Sequence, residues 1–320
     1  MKFVKASRTL ILGGLVLSIQ LHASAQPVRR TPPPPPVDAS LATKDGVQLK
    51  ITYYASSAGQ DATPVVMLHD LNETRAVFDP LAQTLQNPRP PADNAAANPV
   101  QSRAVVTVDL RGHGGSKTAY GADGSVLKLD ANRFQPVDFE NMIQFDLEAV
   151  RAFLIAENDA GKLNLNKLCV VGSGMGANAA VLWAAKDWAT PPLAARKQGQ
   201  DVKALALISP RWNFRGLSLV GPMKFPPIQR DLAILLAYGA EDAKVAKDCQ
   251  NLQKVFERHH PEPPADLVQE QKDYFVIAAN TRLQGSELLT TRGFNLAPTI
   301  AGFIEARVGR QDMPYVRRKY

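Results

Sequence analysis

The 320-residue chain predicts an α/β fold, a mostly parallel central sheet with helices on both faces. Three observations carry that prediction. Strand-like and helix-like stretches alternate along most of the chain. Several strand candidates are short, unbroken β-branched runs, as strands buried on both faces require. The helix candidates between them carry apolar residues at helical spacing.

In chain order, Val47 to Tyr54 alternates apolar and polar residues and predicts a strand exposed on one face. Pro64 to Leu68 and Ala104 to Leu110 predict central strands. Between them, Val77, Leu81 and Leu85 define a helix over Glu73 to Leu85, followed by a loop rich in Pro, Asn and Ala from Asn87 to Pro99. Phe139 to Glu157 predicts a long amphipathic helix. A strand over Lys167 to Val171 and a helix over Ala177 to Lys186 follow. Strands over Val202 to Ser209, Leu232 to Tyr238 and Tyr274 to Ala279 complete the sheet, with helices over Lys244 to His259 and Leu296 to Val308.

The first residues read differently. Lys2, Lys5 and Arg8 precede an apolar stretch from Leu10 to Leu21, and Ala23-Ser24-Ala25 supplies small residues for cleavage before Gln26. Residues 1–25 are thus expected to be a secretory signal, and the protein to be periplasmic or extracellular. An uncleaved anchor is the competing reading, although the apolar stretch is short for a membrane span. Residues 26–37, with prolines from Pro32 to Pro36, predict an extended spacer. Residues 38–309 are expected to form the domain, and residues 310–320, with Arg317-Arg318-Lys319, a solvated basic tail.

Removing residues 1–25 takes away three basic and no acidic residues, so the formal charge falls from +7 to +4. That balance is no nucleic-acid signature, and membrane contact is expected only through the N-terminal segment. Cys169 falls in a predicted central strand, so Cys169 and Cys249 are expected as buried free thiols even in an oxidising compartment.

In a parallel α/β sheet the chemistry sits in loops at the carboxyl ends of the strands. After the strand ending at Val171 comes Gly172-Ser173-Gly174-Met175-Gly176 and then a helix. This is the strand–turn–helix setting of a nucleophile elbow, G-x-S-x-G, with Gly174 where serine should stand. Reading Ser173 as the nucleophile in a shifted register would put Val171 and Met175 at the small flanking positions. A Gly-rich phosphate loop would need the Lys-Ser/Thr that this turn lacks.

Together with His69-Asp70-Leu71 after Pro64–Leu68, Asp109-Leu110-Arg111-Gly112-His113-Gly114-Gly115-Ser116, and Gly239-Ala240-Glu241-Asp242, the elbow resembles the α/β-hydrolase superfamily. The likeness is to its lid-poor lipase, esterase and serine-aminopeptidase-like members. The match spans about Val47 to Val308 and implies an α/β-hydrolase fold. The stretch from Pro210 to Asp231 is too short for a sizeable lid domain. Its Trp212, Phe214, Leu217, Leu219, Met223 and Phe225 are expected to pack on the sheet edge, or else to wall a groove.

The resemblance also implies roles. Asp242 stands at the acid position of the triad, Gly174 at the nucleophile and Ser286 at the base. The amides of Leu71 and Met175 would form an oxyanion hole, with Asp70 replacing a glycine beside it. His69 and His113 are expected to hold loop backbones; the sharper alternative joins them with Asp70 and Asp242 in a cluster that binds a metal or activates water. Spacing supports no metal geometry, and no cofactor is expected. The leading expectation is a pseudo-hydrolase, an exported binding or scaffolding protein with an unidentified protein or envelope ligand as partner. The alternative is an active ester-, amide- or peptide-bond hydrolase using groups other than the usual triad.

Overall fold

The computed structural model describes residues 32–88, 100–191, 193 and 197–319. The expected signal, the first half of the expected spacer and most of the loop from Asn87 to Pro99 lie outside the described residues. An eight-stranded sheet forms the centre, in the order β1-β2-β4-β3-β7-β8-β11-β12. Its strands are β1 (Val37–Ala42), β2 (Gln48–Tyr54), β3 (Pro64–Leu68), β4 (Ala104–Val108), β7 (Leu168–Ser173), β8 (Val202–Ile208), β11 (Ala233–Gly239) and β12 (Tyr274–Ala279). Strands β1, β2 and β4 pair antiparallel, and every pairing from β4 to β12 is parallel. Two small hairpins, β5 (Thr118–Tyr120) with β6 (Val126–Lys128) and β9 (Asn213–Phe214) with β10 (Leu217–Ser218), lie outside it.

Burial explains why these segments are strands. All five residues of β3 and of β4 are buried, and alternate side chains feed two cores. Val66 and Leu68 point into one, Val65 and Met67 into the other. The first core is covered by α2 (Pro136–Asn141), α3 (Leu147–Asp159), α4 (Met175–Ala189) and α5 (Ala243–His259). The second is covered by α1 (Asp79–Gln86), α7 (Gly285–Thr290) and α8 (Leu296–Ile304). A short α6 (Val268–Gln271) precedes β12. The expected long helix is α2 and α3 joined through a π-helical turn, Met142–Asp146. Leu217, Leu219 and Met223 join the first core, with Trp212, Phe214 and Phe225 packed against it. The stretch from Pro210 to Asp231 therefore packs rather than forming a lid. Cys169 and Cys249 are buried and free.

Two boundaries differ from the sequence reading. Val37, placed in the spacer, begins edge strand β1, and the Pro34 carbonyl accepts from Gln86 Nε2 at 2.8 Å. Residues 310–319 are not a solvated tail. Asn164 Nδ2 donates to the Met313 carbonyl at 2.8 Å, and the backbone amide of Arg318 donates to Asp159 at 2.7 Å. The Arg318 guanidinium is buried beside Asp201 at 2.8 Å. A charge with a buried partner is drawn in, where an unpaired one would stay in water.

The carboxyl ends of β3 and β7 meet where the topology reverses. The chain leaves β3 for β4 on one side and returns to β7 on the other. Ligands of open α/β sheets bind at such switch points.

Candidate functional site

Gly174 links β7 directly to α4, with φ +50° and ψ −111°. A side chain at such angles is strained by about 1–3 kcal/mol, which glycine avoids. Gly176 answers a different need. A Cβ there would stand 2.1 Å from the Leu68 carbonyl oxygen, so its absence lets α4 close on β3.

The Asp70 carboxyl fills the space in front of Gly174. Its Oδ1 accepts the backbone N–H of Leu71 and that of Met175, each at 2.7 Å. Two amides converging on one oxygen is the geometry of an oxyanion hole, and here an internal carboxyl oxygen occupies it. A Cβ on residue 174 would lie 1.9 Å from Asp70 Oδ2. The Asp70 carboxyl and a side chain at 174 cannot coexist in this arrangement. Burial pushes the Asp70 carboxyl above the usual carboxylate range, opposed by the two amide bonds and the positive charge of Arg211. The sequence expectation of a carboxyl beside the hole thus becomes a carboxyl inside it.

Glu73 holds this turn from below. Its Oε2 accepts the Asp70 amide at 3.0 Å, and its Oε1 accepts the Ser286 hydroxyl. Sequence reasoning passed over Glu73, although Asp70-x-x-Glu73 has the spacing of a reciprocal cap and would have flagged it. The Asp70 carbonyl also accepts the Glu73 amide at 3.3 Å. On the other side, Gln284 exchanges two hydrogen bonds with the backbone of Gly239 and accepts from the Ser209 hydroxyl at 2.7 Å. That pins the start of α7, and with it Ser286, against β8 and β11. Ser173 is fully buried on β7 and its hydroxyl has no partner among the described residues.

Gly174, Asp70, Leu71, Met175 and Ser286 thus come together, whereas the other candidates are committed elsewhere. Asp242 caps α5, its Oδ1 accepting the amides of Lys244 and Val245 at 3.0 Å each. His69 Nδ1 donates to the Asp70 carbonyl at 2.6 Å, and its Nε2 accepts the Leu110 amide at 3.1 Å. His113 Nδ1 donates to the Arg111 carbonyl at 2.9 Å, and its ring lies edge-on to His69 at 4.9 Å. Among the described residues no group of three or more His, Cys, Asp or Glu side chains is placed to hold a metal. The cluster imagined from His69, Asp70, His113 and Asp242 does not form among the described residues, because both nitrogens of His69, Asp70 Oδ1, His113 Nδ1 and Asp242 Oδ1 are bonded to backbone groups.

The segment from Asp109 to Ser116 is equally structural. Asp109 accepts from the amides of Arg75 and Gly115 at 2.7 and 2.8 Å and pairs with the Arg75 guanidinium. Arg111 pairs with Asp146 and Asp45, both at 2.7 Å, and Ser116 Oγ accepts the Lys50 amide at 2.7 Å. A near-complete motif therefore says nothing about turnover.

Burial holds His69 neutral, with its pKa pushed down to about 4. Its contribution to stability is complete above pH 6.5 and is lost as pH falls through about 4, a difference of about 3 kcal/mol. Urea unfolding at pH 4.5 and 7.5 is expected to lose this slope in His69→Asn, which keeps a donor toward the Asp70 carbonyl but takes up no proton.

The profile of the alpha/beta hydrolase family matches residues 65–313, and the chain belongs to that family. Solved structures agree on the fold. An esterase from Pyrococcus furiosus superposes with a TM-score of 0.56 at 13% identity, covering 86% of this chain and 92% of its own. An esterase from Pyrobaculum calidifontis gives 0.54 at 14% identity over 88% and 86%. An alpha/beta hydrolase from Penicillium sp. sh18 gives 0.54 at 12% identity over 86% and 99%. At such identities the likeness is one of fold. No curated protein matches the sequence.

Proposed function

We propose that this chain is a pseudo-hydrolase, an exported member of the alpha/beta hydrolase family that works by binding or scaffolding. The observation that carries this reading is the Asp70 carboxyl seated on both hole amides, in the space a side chain at 174 would need. Acyl transfer needs a nucleophile, a base and a hole open to the developing oxyanion. Gly174 offers no nucleophile, Ser286 bonds to Glu73, and the hole is filled. Loss of triad members alone leaves roughly a thousandfold acceleration over water, much of it from the hole. Filling the hole takes that share too. Export rests on the signal-like sequence of residues 1–25, and the partner is an envelope protein or ligand rather than nucleic acid.

One contact favours a second reading, an active hydrolase of ester, amide or peptide bonds. The Ser286 hydroxyl and Glu73 carboxylate make a hydroxyl–base pair beside the hole. A fluorophosphonate probe separates the two. The native protein is expected to remain unlabelled and to leave short-chain esters intact. Stoichiometric labelling mapped to Ser286 would sink the pseudo-hydrolase reading. The variant that should gain labelling combines Gly174→Ser and Ser286→His with Asp70→Gly, because the first substitution has no room while Asp70 stays.

A further inference from the structure

The opposite end of the sheet carries a second, unassigned site. β3 lies between β4 and β7, and the register pairs Pro64 with Ala104 and Val65 with Cys169. One step earlier, Arg103, Thr63 and Lys167 therefore stand in a row across the amino ends of three adjacent strands. Parallel strands pack about 4.8 Å apart, so the outer two begin about 10 Å from each other. Alternation sends all three side chains to the face covered by α8, the face that Val65, Val105 and Cys169 also share. There they line an open pocket of about 460 Å³ together with Glu305, Arg310 and Gln311.

The charges in this cavity do not balance. Arg103 and Lys167 are buried at 2% and 9% exposure. Among the described residues Glu305 is the one carboxylate lining it, and it is shared between Arg103 at 2.8 Å and Arg310 at 3.2 Å. Among the described residues Lys167 Nζ reaches only the Gly309 carbonyl at 3.4 Å, and Arg103 Nε has no partner. Burial pulls the Arg103 pKa down despite Glu305. Buried cations ordinarily come with matching anions, since an uncompensated buried charge is expensive. Among the described residues two buried cations and the largely exposed Arg310 face one carboxylate, which leaves positive charge open toward a space large enough for a small molecule.

We propose that this cavity binds the oxyanion group, phosphate or carboxylate, of a small molecule, held between Arg103, Lys167 and Arg310. Arginine supplies the forked donor that planar oxyanions match, and lysine a point charge. The site lies at the amino ends of the strands and is independent of the fate of the old catalytic turn.

Calorimetric titration of the full domain with inorganic phosphate and with succinate, at constant ionic strength, tests it. At least one anion is expected to bind saturably, and the tighter one names the head group. Arg310→Ala changes a largely exposed side chain and should leave the fold intact. Lys167→Met keeps the apolar stem. Each is expected to weaken binding at least tenfold. Cosedimentation with phosphatidylglycerol vesicles that is lost in both variants would identify a lipid headgroup as the source; soluble binding without it would identify a free metabolite. Absence of saturable binding of either anion, or native affinity in both variants, overturns the proposal while leaving the pseudo-hydrolase reading untouched.

Discussion

Replacing Gly174 by alanine is expected to lower stability by about 3–5 kcal/mol in the native chain, but by only about 1–3 kcal/mol in a chain that already carries Asp70→Gly. Two effects add. The backbone at φ +50° and ψ −111° strains any residue with a Cβ, by about 1–3 kcal/mol. The new Cβ would also fall 1.9 Å from Asp70 Oδ2, so the carboxyl must leave the two amides it holds. Hydrogen bonds to a charged group contribute about 1.5–3 kcal/mol each, although water at the half-buried rim can replace part of that. In a chain that already carries Asp70→Gly the obstacle and the two bonds are gone, so Gly174→Ala then adds only the backbone strain. A double-mutant cycle on urea unfolding should therefore show a coupling of about 2 kcal/mol between positions 70 and 174. Strictly additive losses would mean that the carboxyl does not stand where the side chain of residue 174 would go. The reading of the hole as internally occupied would then fail.

This coupling explains why Asp70 and Gly174 belong together in one sequence. In a hydrolase the turn after β3 needs a small residue, so that the hole stays open, and the elbow needs a side chain. On the pseudo-hydrolase reading proposed above both requirements are reversed. Glycine relaxes the elbow, and the vacated space admits a carboxyl that satisfies the two amides. Neither substitution is comfortable without the other.

The sheet was legible because its central strands are nearly pure apolar runs. β3 and β12 begin and end where the sequence predicts, and the other predicted strands shift by only a few residues. The elbow was legible for a different reason, since its outer glycines are dictated by the close approach of α4 to β7 at Gly172 and to β3 at Gly176. Less was visible where backbone pairing or a distant partner decides. β1 reads Val-Asp-Ala-Ser-Leu-Ala, with little strand propensity, and is held by its ladder to β2. Asp242 follows a strand and precedes a helix, a position that suits a triad acid and a helix cap equally. Only the direction of its side chain, onto the amides of Lys244 and Val245, separates the two. The carboxyl of Asp70 could be placed near the hole from sequence, but its seat inside the hole depends on χ angles that no pattern encodes.

The C-terminal segment offers the second large effect. Arg318→Ala is expected to cost about 3–5 kcal/mol, the range for removing one partner of a buried ion pair. Its guanidinium lies 2.8 Å from Asp201 and donates to Asn166 Oδ1 at 2.6 Å. Asp201 is itself buried, and Asp187 on α4 accepts the backbone amides of Asp201 and Val202. Burial, together with the charge of Asp201, pushes the Asp187 carboxyl above its ordinary range. Arg318, Arg151 and Lys197 are the cations that stand beside this pair of carboxyl groups. A carboxyl whose folded pKa is raised contributes stability at acid pH that disappears as pH rises through that value. Arg318→Ala should therefore lose more stability at pH 7.5 than at pH 4.5, where protonation of Asp187 removes its repulsion of Asp201. Unfolding midpoints of both proteins at the two pH values measure this directly. Equal losses at both would assign the effect to the packing of the arginine stem and of residues 310–319, and would remove the ion pair from the account of how this segment is held.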